Sequence, residues 1–345
     1  MTMMQKAVMM KQFASKRQIE INMLSLSALL ISTLLTLSSC ASLSDQTVHE
    51  QTLAYIAEEN ATYSQHAPVF IVENQASDFN RIGTPSVTRT AEGNEDVFID
   101  NTLPTFFVQK RTFHTSRSTY TNFIYRIHFK EVPFSFVPFY LGAGKNVGLI
   151  VIVTLDASGY PILYTTVNTC GCYLAFIPTI FMPDDSFPNA WPENRQTVYS
   201  ESLPATLDLH NYAPEQTRAM ILLREDTHRV KDIWAGTLHS VKNSSMEARI
   251  QPLEALEKLA LENGQAISFY KKSGSGRGYV KGSTKIWERL LMGWWALDWR
   301  VGEDKKLGRD KNDPPTFHTS LKPWAKNESD LRDFDTFLTY WGWNL

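Results

Sequence analysis

Cys170, Gly171 and Cys172 are the residues of this chain best suited to chemistry. In an extended strand, positions two apart point to one face, with Cα atoms about 6.6 Å apart. That is near the upper limit for a disulfide, and glycine between them allows a bend that shortens it. A bridge so closely spaced would be strained, hence reducible and open to redox catalysis. The same pair could hold Cu(I) or Zn(II) if a histidine completed the set, His128 being the best placed. It could also be two inert thiols in a core strand, where free cysteine is common. His114, among Thr115, Ser116 and Ser118, has polar neighbours but no triad spacing. His-Glu-x-x-His and Gly-x-Ser-x-Gly are both absent, so neither common metallopeptidase nor common esterase chemistry is signalled. Asp184-Asp185, in a proline-rich loop, suits a solvated turn.

The strands around the pair set its position. Val147 to Leu155 is apolar on both faces: Val147, Leu149, Val151, Val153 and Leu155 on one, Ile150 and Ile152 on the other. Such a strand belongs inside a sheet covered on both sides. Asp156–Gly159 is a turn, so residues 162–169 should return antiparallel and lead into the cysteines. Phe123, Tyr125, Ile127 and Phe129 share one face of an earlier strand, with Arg126 and His128 on the polar other. Val132–Phe139, with two prolines, reads as an edge strand or extended wall. Residues 218–223 and 230–234 read as a further hairpin. Helices are expected near residues 51–60 and over Pro252–Asn263, Thr284–Leu297 and Asp330–Trp341, the last capped by Ser329.

Ser273-Gly-Ser-Gly-Arg-Gly278 fits neither the dinucleotide glycine pattern nor a phosphate loop, and reads as flexible. Around it, Lys271, Lys272, Arg277 and Lys281, with Lys285 and Arg289 beyond, form a basic patch beside Glu288. Seven of the nine tryptophans follow residue 286. A basic, Trp-rich amphipathic helix suits an anionic lipid surface. The same apolar stripe equally suits a helix covering a sheet.

Lys6, Lys11, Lys16 and Arg17 precede a short apolar run, Met23–Leu37, which ends in Leu37-Ser38-Ser39-Cys40 followed by Ala41. A basic segment, a short apolar segment and small residues describe a secretory signal. The tetrad resembles the lipobox of bacterial lipoprotein precursors. The resemblance implies cleavage after residue 39, diacylglycerol on Cys40 and, with Ala41 rather than Asp, delivery to the periplasmic side of an outer membrane. Several acyl chains would then hold the protein stably, without a spanning helix. It covers only the first 41 residues; the rest of the chain resembles no family.

The domain expectation follows: signal peptide 1–39, lipidated N-terminus and tether 40–67, and one mature domain 68–345. Its fold class is α+β, an antiparallel-rich sheet over 68–250 with C-terminal helices packed on one face over 251–345. The net charge of −2 carries no nucleic-acid footprint. No cofactor is expected. The leading functional expectation is a lipid-anchored envelope protein that binds or scaffolds; the alternative is an envelope enzyme, a hydrolase or a thiol- or metal-dependent protein, at Cys170, Cys172 and His128.

Overall fold

Ten strands hydrogen-bond into one curled mixed sheet, in the order β13 (Val230–Thr237), β12 (Thr217–Leu223), β2 (Val69–Val72), β1 (Leu53–Ala57), β14 (Ser245–Pro252), β5 (Thr105–His114), β6 (Thr119–Val132), β7 (Gly144–Leu155), β8 (Pro161–Asn168) and β9 (Ala175–Pro178). The structure is a computed structural model that describes residues 51–59, 62–261 and 263–345. The expected signal peptide and Cys40 lie outside the described residues. The strands of one end are β5, β6, β7, β8 and β9, all antiparallel neighbours. The other end holds β1, β2, β12, β13 and β14. There β1/β14, β12/β2 and β14/β5 run parallel. Two of the expected hairpins are present: β7 and β8 across Asp156–Gly159, and β12 with β13.

The α+β expectation is overturned. Among the described residues only short helices occur: α1 (Leu238–Val241), α2 (Ile286–Met292) and α3 (Phe334–Tyr340). Residues 53–57 are a strand inside the sheet, not a helix. Pro252–Asn263 is a single 3-10 turn, Leu253–Glu257, followed by a two-residue strand, β15 (Leu259–Ala260), paired with β16 (Ala266–Ile267). The C-terminal third is a mostly irregular plug, punctuated by glycine and proline, rather than a helical layer.

That plug explains the burial. One face of the sheet curls over a core that contains Tyr55, Phe70, Phe106, Tyr125, Ile127, Phe129 and Val151. The opposite face carries Phe107, Ile124, Ile150, Ile152 and Val167, and the plug covers it with Leu256, Phe269, Phe317, Phe337 and Trp343. The doubly apolar β7 is therefore covered on both sides, as its sequence requires. Arg126 and His128, expected on a polar face, are fully buried under the plug.

Candidate functional site

Thr169 to Tyr173 form a tight turn between β8 and β9, so the two cysteines are not in an extended strand. Gly171 N–H donates to Asn168 O at 2.7 Å, and Asn168 N–H donates to Cys172 O at 2.9 Å. Gly171 sits at φ +92°, and a Cβ there would lie 2.3 Å from the carbonyl oxygen of His318. Only glycine suits that place. The turn brings both sulfurs inward. Cys172 N–H donates to Cys170 Sγ at 3.3 Å. Both cysteines are free; Cys170 is buried and Cys172 is half-buried.

Four charged side chains from the plug surround this turn. Lys285, Glu288, Asp304 and Lys305 are all buried. The Thr169 hydroxyl donates to Asp304 Oδ1, and Lys285 Nζ lies 3.4 Å from Asp304 Oδ2. Lys305 N–H donates to Thr169 O at 2.8 Å, and its Nζ donates to Cys170 O. The Lys305 ammonium has no carboxylate within ion-pair distance among the described residues, although it lies near the Phe317 ring. Glu288 Oε1 is 4.0 Å from Cys172 Sγ, and Glu288 Oε2 is buried without a hydrogen-bond partner. From behind, Arg126 donates from Nη1 to Lys305 O at 2.8 Å, so β6 fixes the backbone that aims Lys305.

These neighbours divide the protons. Burial pushes the Cys170 thiol up, but the hydrogen bond from Cys172 and the Lys285 charge outweigh it and set its pKa below that of an ordinary cysteine. Cys172 is held well above, by the adjacent Cys170 sulfur and by burial. Burial raises Glu288. Burial opposes the charge on Lys285, yet Asp304, Cys170 and Glu288 hold its pKa well above the ordinary lysine value. The arrangement favours ionisation of Cys170 over that of Cys172, with a carboxyl group in reach of the Cys172 thiol.

Cys170, Cys172, Glu288, Lys305 and His318 line a cavity of about 190 Å³. Its apolar lining includes Leu141 and Met292. Each adjoins a segment with exposed apolar side chains. One is the β6–β7 loop, where Phe134, Phe136, Val137 and Phe139 face out. The other is α2 and the turn after it, where Ile286, Leu290, Leu291, Trp294, Leu297 and Trp299 do. Trp287 joins them, with its ring centroid 6.1 Å from Phe134 and 5.7 Å from Phe139. The helix is amphipathic in reverse: Glu288 is 4% exposed, while Leu290 is 62%. It does not cover the sheet with its apolar stripe.

His128 does not join the cysteines. It accepts from Arg126 Nε at 3.0 Å through Nε2, lies between the rings of Phe107 and Phe269, and is held neutral by burial and the adjacent guanidinium. Among the described residues no three His, Cys, Asp or Glu side chains are grouped to hold a metal ion. The histidine at the cavity is His318, whose Nε2 is 3.5 Å from Asp298 Oδ2. His114 is exposed and hydrogen-bonds Thr119. Asp185 pairs with Arg117 in an exposed turn.

The basic patch is partly spent inside the molecule. Lys271, Arg289 and Arg300 converge on the fully buried Glu303, and Lys281 pairs with Glu95. Lys272 and Arg277 remain exposed. Sequence patterning missed Lys285, Glu288, Asp304, Lys305 and His318 as site residues; charged residues at these spacings look solvated until the plug is in place. Comparison with family models, with curated proteins and with solved structures gives no match. No helix among the described residues is long and apolar enough to cross a membrane.

Proposed function

We propose that this chain is a lipid-anchored envelope protein that rests on the bilayer surface and binds an anionic amphiphile, such as a fatty carboxylate, in the cavity at Cys170 and Cys172. The observation that carries this reading is Lys305, a buried ammonium with one carbonyl acceptor and no paired carboxylate, facing a cavity bordered by outward-facing aromatic and aliphatic side chains. A buried cation of this kind is stabilised by an anion brought to it. Outward Trp and Phe at a site mouth favour the interfacial region of a bilayer, and a patch this apolar implies a partner surface. The lipobox at Leu37–Cys40 supports that surface being a membrane. From Cys40 to the first strand at Leu53 is 13 residues, a reach of at most about 45 Å, so a lipidated Cys40 would keep the body close to the bilayer.

Calorimetric titration of the purified protein in detergent with decanoate tests this. Decanoate is expected to bind with stoichiometry near one, and decanol at least tenfold more weakly. Lys305→Met should reduce decanoate affinity at least tenfold, about 1.4 kcal/mol. Equal affinity for acid and alcohol, or an unaffected Lys305→Met variant, would overturn the anionic-ligand assignment.

A further inference from the structure

We infer that Cys170 and Cys172 are a redox-active dithiol that exchanges two electrons with low-molecular-weight disulfides, Cys172 acting as the attacking thiol and Cys170 as the resolving one. This activity uses the same cavity as the proposed amphiphile site but requires neither amphiphile nor membrane, so it is tested on protein free of both. It rests on three observations. The turn, locked by Gly171 against the His318 carbonyl, folds Cys172 back so that its N–H donates to Cys170 Sγ at 3.3 Å, and both cysteines line one cavity. Both cysteines line the cavity, and Cys172 is the more accessible, since Cys170 is 3% exposed and Cys172 is half-buried. Glu288, with one oxygen 4.0 Å from Cys172 Sγ and the other unpartnered, has no structural hydrogen bond to account for its burial.

The steps balance as follows. Cys172 gives its thiol proton to Glu288, and the thiolate attacks one sulfur of the disulfide RSSR. The S–S bond of RSSR breaks, a new bond joins Cys172 to SR, and the departing RS⁻ takes the proton back from Glu288. Cys170 thiolate then attacks the Cys172 sulfur. The Cys172–SR bond breaks, the internal disulfide forms, and the second RS⁻ leaves with the proton that Cys170 had released. Two thiols are oxidised, one external disulfide is reduced, and two RSH are produced. Cys170 suits its part, because Lys285 and the Cys172 N–H stabilise it as an attacking or leaving thiolate. A bridge across one residue is strained, so the oxidised form should readily return its oxidising equivalents to other thiols.

The test is equilibration of the purified full chain in stepped ratios of reduced to oxidised glutathione at pH 7. An acid quench and N-ethylmaleimide follow, and the mass of the peptide carrying residues 170–172 is read. The expected result is a single transition from the doubly alkylated peptide to one that is unalkylated and two mass units lighter than the dithiol. The pair should be half-oxidised at a more oxidising ratio than a structural disulfide would need. Two alkylated thiols persisting in excess oxidised glutathione, or a stable glutathione adduct without the internal bridge, would overturn the proposal. The order of attack has its own readout. Cys170→Ser should accumulate glutathione on Cys172, and Cys172→Ser should leave Cys170 at least tenfold slower to react; equal rates would reverse the assignment. Glu288→Gln should slow oxidation and make its rate follow the pH curve of an unassisted thiol, whereas an unchanged profile would remove Glu288 from the mechanism.

Discussion

At the scale of single residues, two glycines hold the site in shape. Gly171 makes the cysteine turn possible. Gly302, at φ +78°, leaves the space that Glu288 occupies: a Cβ there would fall 1.6 Å from Glu288 Oε2. Gly171→Ala must combine a left-handed backbone, unfavourable by about 1–2 kcal/mol, with a clash against backbone that cannot swing away. The expected loss is at least about 2 kcal/mol, measured as a lower urea midpoint at unchanged m-value. Gly302→Ala carries the same left-handed backbone cost but meets a side chain rather than backbone, so its loss of stability is smaller and its main effect is on Glu288. Glu288 is displaced, and the reactivity of Cys172 toward N-ethylmaleimide changes more than stability does. Wild-type reactivity in Gly302→Ala would show that the thiol does not sense Glu288.

At the scale of elements, β7 and α2 are opposites. β7 buries both faces, and Ile152→Ala should cost about 2–5 kcal/mol of stability. Helix α2 turns Glu288 inward and Ile286, Leu290 and Leu291 outward. Leu290→Ser should therefore leave the urea midpoint within about 0.5 kcal/mol. The double variant Leu290→Ser with Trp294→Ser should bind vesicles at least tenfold less in flotation when Cys40 is also replaced, so that no acyl chain contributes. Undiminished flotation would separate the apolar patch from the membrane. The same contrast shows what is legible in a sequence. The β7 pattern is local and complete in nine residues, so it predicts its own environment. The α2 stripe has the same apolar content but an inverted orientation. That orientation is set by Lys285 and Glu288 reaching Asp304 and Cys172, partners far away in the chain. Asn263-Gly264 shows a further limit: it reads as a helix stop, and it is the turn of the β15–β16 hairpin. Leu256, Leu259 and Leu261 pack into the core under the plug, and that packing overrides their helical spacing. The cysteine pair was visible as a motif. Its charged surroundings were not, because the hydrogen bonds that bring Glu288, Asp304 and Lys305 to the turn cross more than a hundred residues and leave no periodicity.

At the scale of the whole molecule, the covering of both sheet faces buries histidines as well as apolar groups. Burial and the nearby Lys305 and Lys326 charges lower His318 to about 3. Burial lowers His228, stacked on Phe129 at 3.9 Å, to about 3. His128 is held well below its ordinary value by burial and Arg126. Each folded-state pKa is depressed, so the folded protein binds fewer protons than the unfolded chain once the pH falls below about 6.5. Stability is therefore full above that value and declines as pH falls toward 3, the unfolded state gaining protons that the native state refuses. At pH 5 each such imidazole contributes a loss of about 2 kcal/mol. Asp298, Asp313 and Asp333, held below the usual carboxylate range, lose their contributions only at more acidic pH. Urea denaturation at pH 7.5 and 5.0 should thus show a fall of several kcal/mol before these aspartates are engaged, offset in part by Glu288, which burial raises. His228→Gln should lower stability at both pH values, because it removes the stacked ring, yet reduce the difference between them by about one imidazole's share. A midpoint that does not move between pH 7.5 and 5.0 would mean that the coverings of the two sheet faces open readily enough for these rings to titrate in the folded state. The buried charges around Cys170 would then be solvated as well.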